Sequence, residues 1–87
     1  MKTITKTELI DFLKRQVVQE CGITYEEVDV HREFVEFRMD SVNTVFIMDR
    51  LEKHLGTELS PLYFWDHPTI DSLSEFLINH ILKNNNS

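Results

Sequence analysis

The run Asp40-Ser41-Val42-Asn43-Thr44-Val45-Phe46-Ile47-Met48-Asp49-Arg50-Leu51-Glu52-Lys53-His54-Leu55-Gly56 carries the clearest helical signal in the chain. Its first residue, Asp40, is a good helix N-cap, because a short carboxylate can accept from the free backbone N–H groups of the first turn. No Pro or Gly interrupts the segment until Gly56, which can take the left-handed conformation that closes a helix. At about 100° per residue, Thr44, Ile47, Met48, Leu51 and Leu55 fall in one stripe, the expected core face. Ser41 stands in the first turn and off that stripe. With Ser41 set at 0°, the stripe centres at about 290°, while Val42, Val45 and Phe46 lie between about 40° and 140°. Asp49 and Glu52 share their side. Three apolar side chains turned away from the core beside one serine point to a partner-recognition surface of Val42, Val45, Phe46, Asp49 and Glu52.

Towards the N-terminus, Thr5 and Glu8 have capping-box spacing. Leu9, Phe12, Leu13, Val17 and Cys21 then recur at steps of three or four, predicting a helix that ends near Gly22. Residues 23–39 carry Ile23, Val28, Val30, Phe34, Val35 and Phe37 without a sustained period, as in a long connection pinned to a core. Towards the C-terminus, Ser60-Pro61 reads as N-cap followed by a first-turn proline, opening a short helix. Its aromatic residues Tyr63, Phe64 and Trp65 are expected to pack into the core. Pro68 stops that helix, and Thr69 caps a last one with Ile70, Leu73, Phe76, Leu77 and Ile81 on one face. The expectation is an all-α bundle of three long helices and one short helix with a long first loop. It forms a single domain over residues 1–83, followed by a polar disordered tail, 84–87.

The chain has 87 residues and a formal net charge of -6. That acidity argues against a nucleic-acid partner, which phosphate repulsion would disfavour, and suits partners presenting Lys and Arg. A lone cysteine, Cys21, cannot form an internal disulfide and reads as a small buried apolar residue. No apolar run approaches the roughly 20 residues of a membrane span, and no signal-peptide core is visible, so a soluble cytoplasmic protein is expected; a monomer is expected as well. His31, His54, His67 and His80 lack metal-ligand spacing, so no metal site is expected. Ser41 lacks the Gly-x-Ser-x-Gly elbow of a hydrolase.

The tripeptide Asp40-Ser41-Val42 says little alone: a serine there can be a plain helix-start residue. Three ordered stretches say more. They are Phe34-Val-Glu-Phe-Arg-Met-Asp-Ser-Val42, Leu51-Glu-Lys-His-Leu-Gly56 and Phe64-Trp-Asp-His-Pro-Thr-Ile70. With them the chain resembles the acyl carrier protein family, and in particular the carriers of modular polyketide synthases. The resemblance implies that Ser41, flanked by Asp40 and Val42, receives 4′-phosphopantetheine from coenzyme A. It further implies a non-catalytic carrier of acyl or polyketide thioesters. The implied partners are a phosphopantetheinyl transferase, an acyltransferase, a ketosynthase and other synthase enzymes. A helix N-terminus suits such a phosphodiester, since its N–H groups and dipole favour an anion.

His67-Pro68-Thr69 is more typical of synthase carriers than of dissociated fatty-acid carriers, and Asp40 contrasts with the Gly-Gly-x-Ser of peptidyl carriers. Carriers used for β-branching often have Trp six residues after the serine; this chain has Ile47. The initiating Met and short tail suit a discrete protein. One departure bears on geometry: Arg38 occupies the family's glycine position, where a positive φ would strain a side chain. Alternatives are a fatty-acid or peptidyl carrier, or an unmodified carrier-fold adaptor for protein–protein contact.

Overall fold

A computed structural model describes residues 4–85, and side-chain surroundings over residues 4–80. Four α-helices follow one another: α1 (Lys6–Cys21), α2 (Ser41–Leu55), α3 (Leu62–Asp66) and α4 (Ile70–Asn85). The first begins as its sequence requires. Glu8 N donates to Thr5 Oγ1 at 3.1 Å, and Thr5 N donates to Glu8 Oε1 at 3.1 Å. It closes at Gly22, whose φ of 72° lets its N–H reach Val18 O.

The core joins one face from each long helix. Leu9, Leu13 and Val17 of α1 meet Ile47, Met48 and Leu51 of α2 and Ile70, Leu73 and Leu77 of α4. Thr44 and Leu55, at the two ends of the α2 stripe along the helix axis, are half-buried, as are Phe12 and Cys21 of α1. Cys21 is therefore only partly enclosed. Burial, aided by the Glu20 carboxylate, raises its thiol pKa.

The long connection is more ordered than its aperiodic sequence suggests. It contains two 3₁₀ turns, Tyr25–Glu27 and Phe34–Phe37, and buries Val28, Phe34 and Phe37. Two backbone bonds clip it to the α3–α4 junction: Phe34 N donates to Pro68 O at 2.8 Å, and Asp71 N donates to Val30 O at 3.0 Å. These bonds fix the loop that leads into α2.

The short helix corrects one expectation. Phe64 is buried and stacks obliquely on Phe34, and Tyr63 is half-buried against Phe76. Trp65, however, is 66% exposed, because a single helical turn can aim only part of its circumference at the bundle. The helix itself starts at Leu62, with Pro61 already in helical conformation and Ser60 Oγ accepting from Leu62 N at 3.2 Å.

Thr69 caps α4 by accepting from Ser72 N at 3.0 Å. That helix continues through Asn85, so the expected domain boundary at 83 falls inside it; no Gly or Pro stands there to stop it. Asn86 and Ser87 of the expected tail lie outside the described residues, as does the side-chain environment of Ile81.

Candidate functional site

The site begins with the cap of α2. Asp40 Oδ1 accepts from Asn43 N at 2.9 Å, while Asn43 Oδ1 accepts from Asp40 N at 3.1 Å. Thr44 Oγ1 adds a bond to Asp40 O at 3.1 Å. Ser41, the first residue of α2, is exposed, and its hydroxyl has no hydrogen-bond partner among the described residues. A rigid cap thus presents a free hydroxyl at the positive end of a helix of 15 residues.

Arg38 has φ 63° and ψ 29°, the one non-glycine residue with positive φ among those described. The position at which the resemblance expects glycine is thus left-handed in this chain, with an arginine side chain in place. That conformation costs a non-glycine residue about 1–2 kcal/mol, and glycine's extra unfolded-state freedom returns about 0.4–1 of it. Arg38→Gly is accordingly expected to stabilise the domain by up to about 1 kcal/mol, read as a higher melting temperature. An unchanged or lower value would mean that the loop has adapted to arginine.

Beside Ser41 lies a groove of about 220 Å³. Phe34, Val35, Met39, Phe64, Trp65 and Pro68 supply its apolar walls, and Asp40, Ser41 and Thr44 reach its edge. Val35 and Trp65 are largely exposed and stand in this wall. Neither was singled out as a site residue by the sequence, because the loop clips that bring them to α2 are backbone bonds without a side-chain signature.

On α2 itself Val42, Val45 and Phe46 are 56%, 58% and 50% exposed. Among the described residues, no loop folds over them. Asp49 is exposed and pairs with Lys53 Nζ at 3.0 Å. Glu52 differs from Asp49: its Oε2 accepts from Leu59 N at 2.8 Å and so anchors the α2–α3 turn. A substitution there changes the turn as well as the surface charge. Among the described residues, no group of three His, Cys, Asp or Glu side chains could hold a metal ion, and no helix is long and apolar enough to cross a membrane.

A four-helix bundle with a long first loop and a free serine at the capped start of its second helix defines a carrier-type domain. The family model described as the phosphopantetheine attachment site matches residues 11–77, and the chain belongs to that family. It is similar to one subunit of the phenolphthiocerol/phthiocerol polyketide synthase of Mycobacterium tuberculosis, at 30% identity over 79 residues, covering 91% of this chain and 4% of that protein. A non-reducing polyketide synthase of Cladonia grayi is 30% identical over 77 residues, covering 88% of this chain and 4% of its own length. The chain thus spans about 4% of the length of these curated relatives. Among solved structures, a free-standing peptidyl carrier protein from Acinetobacter baumannii superposes with a TM-score of 0.83 at 28% identity, covering 87% of this chain and 95% of that one. An acyl carrier protein from Anabaena sp. PCC 7120, with a variant phosphopantetheinylation-site sequence, gives 0.82 at 28% identity, covering 93% and 96%.

Proposed function

We propose that Ser41 is the residue that receives 4′-phosphopantetheine, and that the chain carries acyl or polyketide intermediates as thioesters between synthase enzymes. The observation that carries this reading is the free, exposed Ser41 hydroxyl at the capped start of α2. In the transfer, Ser41 Oγ attacks the coenzyme A phosphorus that bears the pantetheine. The pyrophosphate bond breaks, adenosine 3′,5′-bisphosphate leaves, and the serine proton passes to a base of the transferase. The new phosphodiester keeps a negative charge beside the first N–H groups of α2, where the helix favours it. The groove at Ser41 offers the first, gem-dimethyl-bearing part of the arm an apolar wall. The distal thiol stays free for loading.

The chain's part is that of a non-catalytic handle, acting in the cytoplasm as a monomer. A phosphopantetheinyl transferase, an acyltransferase and a ketosynthase would dock on it in turn. The similarity to polyketide synthases over most of this chain supports a polyketide cargo, and the likeness to a peptidyl carrier keeps an aminoacyl cargo as the second reading. Incubation with coenzyme A, magnesium and a broad-specificity transferase tests the proposal by intact mass. A gain of one phosphopantetheine is expected; no gain with several transferases would instead favour an unmodified adaptor.

The exposed residues of α2 form the docking face in this reading. Phe46→Ala and Val45→Ser are expected to slow transfer by a partner enzyme while changing stability by less than about 1 kcal/mol. Asp49→Lys should lower the association rate, with an effect that shrinks as salt rises. Glu52→Lys should also lower the melting temperature, because Leu59 N loses its acceptor. Several kcal/mol lost from Phe46→Ala, with unchanged transfer kinetics, would place this side chain in the core.

A further inference from the structure

Asn43 does two jobs with one amide. Its Oδ1 accepts from Asp40 N, and its Nδ2 donates to Glu20 Oε1 at 2.8 Å. A side-chain amide can turn over, exchanging oxygen for nitrogen, and a turned Asn43 would point N–H groups at the Asp40 N–H. A carboxylate can only accept, so Glu20 permits one of the two orientations. Glu20 is itself held: Arg50 Nη1 donates to its Oε2 at 2.8 Å and to Gln16 Oε1 at 3.1 Å. Its side chain is only 11% exposed. The hydrogen bond from Asn43, and then that from Arg50, lower its pKa, which keeps it an acceptor.

We propose that Glu20, fixed by Arg50, is a positioning residue for the acceptor serine. By setting the Asn43 amide it locks the Asp40 turn from which Ser41 is presented. This rests on the reading of Ser41 as the attachment residue. The contacts span α1 and α2, and they reach Ser41 only through the cap. A tie between helices would be expected to affect stability alone; a device that orients the cap should affect the chemistry at the next residue.

Two substitutions separate these roles. In Glu20→Ala the Asn43 amide loses its second constraint, and only the Asp40 N–H still opposes a turn. Adding Asn43→Asp replaces it with a carboxylate, which accepts from Asp40 N in either orientation and leaves the link to α1 absent. Transfer kinetics with coenzyme A would be read beside hydrogen exchange of the Asp40 amide. Glu20→Ala is expected to lower kcat about fivefold with KM little changed, since the docking face is intact while the hydroxyl is misplaced. Its Asp40 amide should exchange about tenfold faster. The double variant should return both values to within about twofold of wild type.

If Glu20→Ala melts below the assay temperature, Glu20→Gln takes its place, being the same shape. With Arg50 holding its oxygen, its NH₂ faces Asn43 and turns that amide the wrong way, so the same loss is expected. Wild-type loading by the single variant, or a double variant as slow as the single, would overturn the proposal. Failure of the wild type to load would count against Ser41 instead, and Asp40 exchange unchanged by Glu20→Ala would then still overturn the role given to Glu20.

Discussion

Leu51→Ala is expected to destabilise the domain by about 2–5 kcal/mol, the range for removing a buried leucine side chain and leaving part of its volume empty. Leu51 is 0% exposed and sits on the α2 face of the core, which Leu9, Leu13, Leu73 and Leu77 complete from α1 and α4. Native domains have only about 5–15 kcal/mol in total, and an 87-residue chain belongs at the lower end. The substitution should therefore leave a substantial unfolded fraction on warming. Urea unfolding is the suitable measurement, with a lower midpoint at unchanged slope as the expected result. A cost below about 1 kcal/mol would mean that the stripe of α2 is not the core face.

Ser41→Ala is expected to abolish phosphopantetheine attachment while leaving the fold as it is. The effect on loading is total because no other atom at the site offers an alcohol oxygen in the same place. The effect on stability is small because the Ser41 side chain is exposed and bonds to nothing described; a change within about 0.5 kcal/mol is expected. Asp40 and Asn43, not Ser41, make the cap. Melting temperature and intact mass together check both halves. An alanine variant that is still modified would assign the arm to another residue.

The elements that could be read directly were those written as local patterns. The stripe Ile47, Met48, Leu51 and the caps at Thr5, Asp40 and Thr69 are short-range features, and each appears where its spacing placed it. Exposure of Val42, Val45 and Phe46 followed from the same wheel. The left-handed turn at Arg38 came instead from the resemblance, since arginine carries no signal of its own for positive φ. The two 3₁₀ turns were invisible because three or four residues are too short to show a period. Trp65 was misplaced because its hydrophobicity does not say which side of a one-turn helix it takes. The link from Glu20 to Asn43 and Arg50 joins residues 23 and 30 positions apart, and only the packing of α1 on α2 brings them together. Glu52 looked like surface charge until the α2–α3 turn placed the Leu59 amide against it.

Fragmentation of the loaded protein in a mass spectrometer locates the phosphopantetheine arm residue by residue. After incubation with coenzyme A and a transferase, the added group should be found on the fragment containing Ser41 and on that residue within it. A pantetheine-bearing fragment that contains Ser60, Ser72 or Ser74 in place of Ser41 would show that the arm is not attached at the start of α2.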